Sequence, residues 1–131
     1  MWLQNSLNLF PTRMIKKNKI DNELLVSVIM NCYNGEKYLR EAIDSVYSQT
    51  YKDWEIIFWD NASTDRSAEI AKSYNSKLKY FRGEKTIPLG AARNKALEKC
   101  SGDYVAFLDC DDLWMEDRLK KQMELMLRKK I

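Results

Sequence analysis

The fold of this chain is decided by residues 103–112, which read DYVAFLDCDD. The apolar run Tyr104–Leu108 is typical of a strand buried on both faces, and three carboxylates crowd its end. Carboxylates one or two positions apart repel each other, and each resists leaving water unless a positive charge offsets it. The tetrapeptide Asp109–Asp112 therefore indicates either a divalent cation site or a solvated acidic loop that caps the next helix.

The cation that such a site would bind can be narrowed from residue types. Oxygen-only ligands favour Mg²⁺ or Mn²⁺ over zinc, and Mg²⁺ reaches proteins through one or two carboxylates plus substrate phosphates. The chain has no histidine, so the commonest nitrogen ligand is absent. The cation interpretation of Asp109–Asp112 therefore predicts a metal–diphosphate site.

Strand-like and helix-like segments alternate along the chain. Four apolar runs predict strands, at Leu24–Met30, Trp54–Trp59, Leu78–Phe81 and Tyr104–Leu108. Apolar residues at helical spacing predict a helix after each strand. The positions that define these helices are Leu39, Ala42, Ile43 and Val46; Ala68, Ile70, Ala71 and Tyr74; Leu89, Ala92, Ala96 and Leu97; and Met115, Leu119, Met123 and Met126. Strands separated by such helices imply a parallel sheet with right-handed crossovers.

Two local features refine the helix predictions. Ser63–Asp65 supplies residues of the types that cap the second helix. The methionines of the last helix could suggest a cofactor site, but their spacing favours a stripe that faces the core.

Three polar clusters follow predicted strands, at Asn31–Asn34, Asp60–Ser63 and Asp109–Asp112. Ligands of parallel sheets bind beyond the carboxyl ends of the strands, where these clusters would meet. Each cluster alone could be an ordinary loop, but that reading does not explain why carboxylates and amides gather at one edge.

The chain carries neither of the common glycine-rich phosphate loops. No Gly-x-Gly-x-x-Gly and no Gly-x-x-x-x-Gly-Lys-Ser/Thr occurs, and there are four glycines in all. Dinucleotide redox chemistry and P-loop chemistry are therefore not expected. A nucleotide bound here would need base recognition from the first two clusters and a metal on its diphosphate from the last.

The composition indicates one globular domain. The chain has 131 residues, of which 45% are hydrophobic and 31% charged, enough for a substantial core. No apolar run approaches the roughly 18 residues that span a bilayer. The basic residues Arg13, Lys16, Lys17 and Lys19 follow the mildly apolar start instead of preceding it, which is opposite to a secretory signal. We therefore expect a cytoplasmic protein.

The net charge and the cysteine count limit the binding partners and the cysteine chemistry that the sequence predicts. A formal charge of +3 is too small to indicate nucleic acid binding. Basic clusters at the two ends, the second at Arg128–Lys130, leave two alternatives open, a solvated end or peripheral contact with an anionic membrane surface. Three cysteines without metal-type spacing suggest neither a disulfide framework nor a zinc site, and core positions are expected for them.

Five motifs in order resemble the family 2 glycosyltransferases of the GT-A fold. They are Leu25–Asn34 (LVSVIMNCYN), Ala42–Thr50 (AIDSVYSQT), Trp59–Asp65 (WDNASTD), Ala92–Asn94 (ARN) and Phe107–Asp112 (FLDCDD). The resemblance runs from about residue 24 to residue 127. It implies an α/β fold, a Rossmann-like parallel sheet with flanking helices that forms the N-terminal half of a GT-A domain. Residues 1–22 are then an N-terminal extension and 23–131 the nucleotide-sugar-binding domain, incomplete at its C-terminus.

The resemblance also implies residue roles for a nucleotide-diphosphate sugar donor. Tyr33 would stack on the nucleobase, Asp60 and Asn61 would receive base and ribose groups, and Arg93 would face the diphosphate or the base. Asn31 belongs to the same binding set.

Three positions near these residues depart from the family pattern. Asn31 replaces a usual proline, Asn61 a usual aspartate and Ala62 a usual glycine. Because an amide can donate as well as accept, Asn61 leaves the identity of the base open.

The acidic tetrapeptide resembles the Asp-x-Asp motif of the family, which holds Mn²⁺ or Mg²⁺. Asp111 is expected to contact the metal directly, and Asp109 to contact the metal through water or to bind the ribose. Asp112 is expected to support Asp109 and Asp111 without contacting the metal itself. Cys110 would point to the opposite face.

In mechanism, the family is inverting: an acceptor hydroxyl attacks the anomeric carbon, a carboxylate takes its proton, and the metal stabilises the departing nucleoside diphosphate. The family's general base lies further along than Ile131, so no catalytic residue is assigned. Glu116 and Asp117 are better explained as favourable charges at the start of the last helix.

Two functions remain open at this point. The first is an enzyme, a glycosyltransferase that is either a fragment of a longer chain or completed by a partner. It would act in surface polysaccharide or glycan synthesis on a glycan or lipid-linked acceptor. The second is a truncated nucleotide-sugar-binding module without turnover, whose exposed apolar surface could make it oligomeric. A nucleotidyltransferase is disfavoured because no glycine-rich loop follows the first strand. The sugar, the acceptor, the base (UDP, GDP or dTDP) and the choice of Met1 or Met14 as start stay open.

Overall fold

The computed structural model describes residues 9–12 and 24–129, with side chains to residue 128. The basic cluster between Arg13 and Lys19, most of the predicted N-terminal extension, and Lys130 lie outside the described residues. In the described part, four helices pack on a five-stranded sheet.

The strands are β1 (Leu9–Pro11), β2 (Val26–Cys32), β3 (Trp54–Asp60), β4 (Leu78–Arg82) and β5 (Tyr104–Phe107). Their order across the sheet is β1-β5-β2-β3-β4. The four strands predicted from sequence pair in parallel, as expected. Val26 lies opposite both Trp54 and Tyr104, so β2 is flanked on its two sides by β3 and β5 in matching register.

Strand β1 adds one antiparallel pairing that the sequence analysis does not predict. Leu9 lies opposite Ala106 and is 2% exposed, and the Thr12 hydroxyl donates a 2.7 Å hydrogen bond to the Gly102 carbonyl. Three residues are too few for an alternating pattern to be visible in the sequence. The domain boundary at residue 22 stays a prediction, but part of the segment before it pairs with the sheet.

The helices are α1 (Glu36–Tyr47), α2 (Ser67–Lys72), α3 (Leu89–Leu97) and α4 (Arg118–Lys129). All four follow the strands as predicted, although Tyr74, assigned to the second helix from its spacing, lies after the end of α2 at Lys72. Met115 does not belong to the last helix, because it lies before α4 and is 77% exposed, whereas Leu119 and Met123 are buried. The capping prediction for α2 holds only for Asp65, whose carboxylate accepts the Ser67 N–H at 2.9 Å.

The two faces of the sheet bury separate cores. One face packs against α1, α2 and α4, through residues such as Phe58, Leu39 and Leu119. The other face packs against α3, through Ile57 and Ala92 among others. On this second face, α3 packs mainly against β2 and β3.

A buried carboxylate ties together the amino ends of three strands. Glu55 is 3% exposed and accepts hydrogen bonds from the Ser27 hydroxyl at 2.5 Å and from the Ser101 N–H at 2.9 Å. Lys79 forms an ion pair with it at 2.5 Å. A Cβ on Gly102 would lie 2.5 Å from the Ser27 hydroxyl, so only glycine allows this close approach.

We expect Glu55→Gln to lower the free energy of unfolding at pH 7 by about 1–3 kcal/mol, because charge-assisted hydrogen bonds are lost. Burial alone would raise the pKa of Glu55, but its bonds to Lys79, Ser27 and Ser101 outweigh burial and hold the pKa below its ordinary value. Such a group stabilises the fold above its unfolded-state pKa, and this contribution is lost as the pH falls through the folded-state pKa.

Urea unfolding of the wild type, the Glu55→Gln variant and an exposed control, Glu124→Gln, at pH 7 and in steps down to about pH 3 checks this expectation. The wild type and control should lose stability over the acid range more steeply than Glu55→Gln. Equal stability of all three proteins at pH 7 would contradict it.

Candidate functional site

The three polar clusters predicted at the carboxyl ends of strands lie side by side. The Asn61 N–H donates to the Cys32 carbonyl at 2.8 Å, which joins the loops after β3 and β2. The Cys110 thiol donates to the Asn31 carbonyl at 3.0 Å, which joins the loop after β5 to the end of β2. The parallel register of β2, β3 and β5 therefore builds one continuous polar edge.

The loops after β2 and β3 hold each other through Asn34. Its backbone has a positive φ of 51°, and its side-chain oxygen accepts N–H groups of Thr64 at 2.7 Å and Asp65 at 3.2 Å. Its own N–H donates to the Ser63 hydroxyl at 2.9 Å. Asparagine tolerates the left-handed region better than most residues, which suits this position.

The acidic loop after β5 forms a compact, solvent-exposed cluster. Asp109, Asp111 and Asp112 each offer a carboxylate oxygen, and these oxygens lie within 4.8 Å of one another. The Asp112 N–H donates to the Asp109 carbonyl at 3.0 Å, which curls the loop. A set of ligands made of oxygen atoms alone fits Mg²⁺ or Mn²⁺. Asp112 stands in the cluster beside the two residues predicted to hold the metal.

Cys110 turns its side chain away from the carboxylates and toward β2. Its thiol donates to Asn31 and lies against Cys32, the last residue of β2. The contact with Cys32, together with burial, raises the pKa of the Cys110 thiol, which keeps it protonated and able to donate. This bond anchors the acidic loop to the centre of the sheet.

Asp60 lies beneath the site with its carboxylate fully engaged. It is 0% exposed and accepts hydrogen bonds from the Tyr80 hydroxyl at 2.5 Å, from Arg82 at 2.8 Å and from the Ser63 N–H at 2.8 Å. Burial, with the bond to Asp60, raises the pKa of Tyr80. The predicted contacts of Asp60 with base and ribose stay a prediction.

Asn61 makes a two-point contact with the backbone of one residue. Its amide nitrogen donates to the Ile87 carbonyl at 2.8 Å, and its amide oxygen accepts the Ile87 N–H at 3.0 Å. The Thr86 hydroxyl also donates to the Asn61 carbonyl at 2.9 Å. An aspartate could not make the donated bond, so the departure from the family pattern at Asn61 has a physical reason. The contact fixes the chain directly before α3.

The remaining predicted binding residues differ in how exposed they are. Tyr33 is 55% exposed at the end of β2, open to a stacking partner. Arg93 is half-buried on α3, with its guanidinium 5.3 Å from the centre of the Phe107 ring. Asn31 is half-buried, and its Nδ2 atom has no hydrogen-bond partner within the described residues.

A cavity of about 890 Å³ opens beside the acidic loop. Its polar lining includes Arg93, Asn94, Asp109, Asp112 and Arg118. Its apolar lining includes Phe10, Leu97, Phe107, Leu113 and Trp114. The cavity thus brings carboxylates, guanidinium groups and apolar walls together at the carboxyl edge of the sheet.

Sequence reasoning missed Tyr80, Arg82, Trp114 and Arg118. Arg82 ends β4 and is therefore a further polar residue at the carboxyl edge, a signal that the sequence did carry. Arg118 follows Trp114 by four residues, but nothing local shows that both would line a cavity with α3. Within residues 9–12 and 24–129, no helix is long and apolar enough to cross a membrane.

Comparisons with known proteins agree with one another. A family model described as Glycosyl transferase family 2 matches residues 27–131. Escherichia coli WfgD, named a UDP-Glc:alpha-D-GlcNAc-diphosphoundecaprenol beta-1,3-glucosyltransferase, is 37% identical over 111 residues, which cover 84% of this chain and 44% of WfgD.

Two solved structures are similar in fold. S. aureus TarS 1–349 in complex with UDP matches with a TM-score of 0.76 at 32% identity, over 80% of this chain and 32% of TarS. The mannosyltransferase PcManGT from Pyrobaculum calidifontis, in complex with GDP-Man and Mn²⁺, matches with a TM-score of 0.69 at 28% identity, over 74% of this chain and 30% of PcManGT. The chain spans less than half the length of each of these proteins.

We expect Ala62→Gly to stabilise the protein by about 0.5–1 kcal/mol. Ala62 has a φ of 61°, where a Cβ costs roughly 1–2 kcal/mol, partly offset by the greater unfolded-state freedom of glycine. Urea unfolding of Ala62→Gly beside Ala68→Gly, in helix α2, measures the difference. The helix variant should be destabilised, and a destabilised Ala62→Gly would contradict the assigned backbone strain.

We expect Asn61→Asp to destabilise the protein by about 1–3 kcal/mol, because the bond donated to the Ile87 carbonyl is lost and a carboxylate faces that oxygen. The matched control is Asn75→Asp, since Asn75 only accepts, from the Tyr47 hydroxyl at 2.7 Å and the Lys77 N–H at 3.1 Å. Urea unfolding at pH 7 compares the two variants. Similar losses in both would argue against the two-point contact.

Proposed function

The chain belongs to glycosyltransferase family 2, and from this premise we propose that it forms the donor-binding part of an enzyme that transfers a sugar from a nucleotide-diphosphate sugar to an acceptor hydroxyl. The predicted family and its GT-A fold are confirmed by the family match and by the similar structures. The observation that carries the proposal is the exposed cluster of Asp109, Asp111 and Asp112 at the carboxyl edge of the sheet, in the same cavity region as Arg93.

The donor would lie across the polar edge with each part against a different loop. Tyr33 has more than half of its surface open, so its ring is available to stack on the nucleobase. Arg93 lines the cavity together with Asp109, where its planar set of donors suits diphosphate oxygens. The known complexes of TarS with UDP and of PcManGT with GDP-Man support a nucleotide or nucleotide-sugar ligand for this fold.

Asp111 and Asp109 are the proposed metal ligands, with Mn²⁺ or Mg²⁺ as the cation. A bound cation there would offset the negative charge that develops on the departing nucleoside diphosphate. The presence of Mn²⁺ with PcManGT supports this choice. Asp112 lies close enough to the other two carboxylates to complete the set.

Asp60, Asn61 and Asn31 take part in the proposed site from beneath the donor. Asp60 and Asn61 are 0% and 7% exposed, and their side chains bond to Arg82 and Ile87. We therefore propose that these two residues set the positions of the loops that touch base and ribose. The Nδ2 atom of Asn31 is buried and has no hydrogen-bond partner among the described residues.

The general base of an inverting transfer is not assigned to any residue. Asp117 forms an exposed ion pair with Lys121 at 3.0 Å. We propose an inverting reaction in polysaccharide or glycan synthesis, with a glycan or lipid-linked acceptor. WfgD, whose name specifies a diphosphoundecaprenol acceptor, supports an acceptor of this class.

A second candidate function is a nucleotide-sugar-binding module without turnover. A cytoplasmic location, peripheral contact with the inner face of the membrane, and association of copies through exposed apolar surface stay proposals in both cases.

We expect thermal unfolding to shift upward by several degrees with one nucleotide, among UDP, GDP and dTDP, and only when Mn²⁺ is present. Saturation at about a hundred times the dissociation constant adds roughly 2.7 kcal/mol. Asp111→Ala should lose the shift, because it removes a proposed metal ligand. Glu116→Ala, a nearby exposed carboxylate outside the cluster, should keep it.

Absence of a metal-dependent shift with every nucleotide, in a protein that unfolds cooperatively, would contradict the proposed donor site. Incubation with the sugar nucleotide of the preferred base separates the two candidate functions. Hydrolysis or transfer identifies an enzyme, whereas a shift without turnover identifies a binding module.

A further inference from the structure

Two guanidinium groups line the cavity beside the acidic loop, and the proposed function uses only one. Arg93 and Arg118 approach it from α3 and from the start of α4. In residues 9–12 and 24–128, neither arginine has a carboxylate within 4.0 Å. The proposed function assigns Arg93 to the diphosphate, which leaves Arg118 as the cavity arginine with neither an ion pair among the described residues nor a proposed ligand.

Arg118 lies in a partly buried environment, where an unpaired cation is unfavourable. It is half-buried, and its Nε atom is buried without a hydrogen-bond partner among the described residues. Burial lowers the pKa of Arg118, and only the more distant charge of Asp112 opposes this effect. Arginine stays charged under these conditions, so part of its hydration has been lost, and within the described residues only the unpaired charge of Asp112 offsets this loss.

The position of Arg118 is fixed by its surroundings and not by a flexible loop. Its guanidinium lies 5.4 Å from the centre of the Trp114 ring, and Trp114 is 8% exposed. The buried Gln49 side chain ties this segment to α1, with its amide donating to the Met115 carbonyl at 2.7 Å and accepting the Leu119 N–H at 3.0 Å. The cation is therefore presented to the cavity in a prearranged position.

We propose that Arg118 binds a second oxyanion, a carboxylate or phosphate, carried by the substrate next to the diphosphate. A guanidinium fits such groups because its donors form a planar fork that matches two oxygens at once. The rest of the cavity wall is mixed. Leu97 and Leu113, 38% and 63% exposed, are apolar, whereas Asp109 and Asp112 carry negative charge that the attraction of Arg118 for the anion must outweigh. This inference rests on the proposed function.

Either the donor or the acceptor can carry the oxyanion. Binding of different ligands distinguishes these two sources. If the donor carries it, as a sugar carboxylate, the wild type should bind UDP-glucuronate with Mn²⁺ about tenfold or more tightly than UDP-glucose. If the acceptor carries it, the two donors should bind alike, and protein saturated with UDP and Mn²⁺ should bind N-acetylglucosamine 1-phosphate. GDP or dTDP compounds replace those of UDP if the protein prefers that base.

Isothermal titration of the wild type, Arg118→Gln, Arg118→Lys and the exposed control Lys120→Gln measures these affinities. In Arg118→Gln the preference for the anionic ligand should fall by about tenfold or more, with binding of UDP itself unchanged. Arg118→Lys should keep part of the preference, because it keeps the charge but not the planar fork. Lys120→Gln should behave as the wild type, and urea unfolding verifies that all variants are folded.

Binding of every ligand by Arg118→Gln within twofold of the wild type would overturn the inference while leaving the proposed function intact. The same holds if the wild type binds UDP but prefers neither anionic ligand. Failure of the wild type to bind any nucleotide with Mn²⁺ would overturn the proposed function, and this inference with it.

Discussion

The parallel pairing of β2 with a neighbour on each side is the constraint on which the rest of the structure depends. Because Val26 stands level with both Trp54 and Tyr104, the three strands deliver their carboxyl ends to the same edge. Hydrogen bonds from Asn61 and Cys110 to consecutive carbonyls of β2 then join the loops. A change of register in either pairing would move the acidic loop away from the residues proposed to act with it.

The negative charges of the site differ in whether the protein itself balances them. Asp60 is buried, and its charge is balanced within the protein by Arg82 and by two further donors. The carboxylates of Asp109 and Asp111 are exposed, and no ion pair within the described residues balances them. The first arrangement holds the protein together, whereas the second leaves charge available for a cation from solution.

Much of the fold could be predicted from sequence because its main signals are local. Each parallel strand is a continuous apolar run, and each helix has apolar residues at helical spacing, so element type and order follow directly. The edge that gathers the polar clusters follows from the parallel topology. Met115 was misplaced because its spacing fits the stripe of α4, although the helix begins three residues later, at Arg118.

What the sequence could not predict depends on contacts between distant segments. The partner of Asn61 is Ile87 and that of Glu55 is Ser101, and neither pairing leaves a local pattern. The cavity is assembled from β1, α3, β5 and the loop before α4, so its two arginines become neighbours only in the folded chain.

The pairing of β1 with β5 also has a consequence for folding order. The bond from Thr12 to Gly102 closes a loop of 90 residues. Closing this loop costs conformational entropy, and only the three residues of β1 make strand contacts that offset the cost. Such a strand is expected to join after the parallel sheet has formed and to detach before the sheet unfolds. Because Phe10 lines the cavity, the cavity would be completed late in folding and would lose one wall whenever β1 detaches.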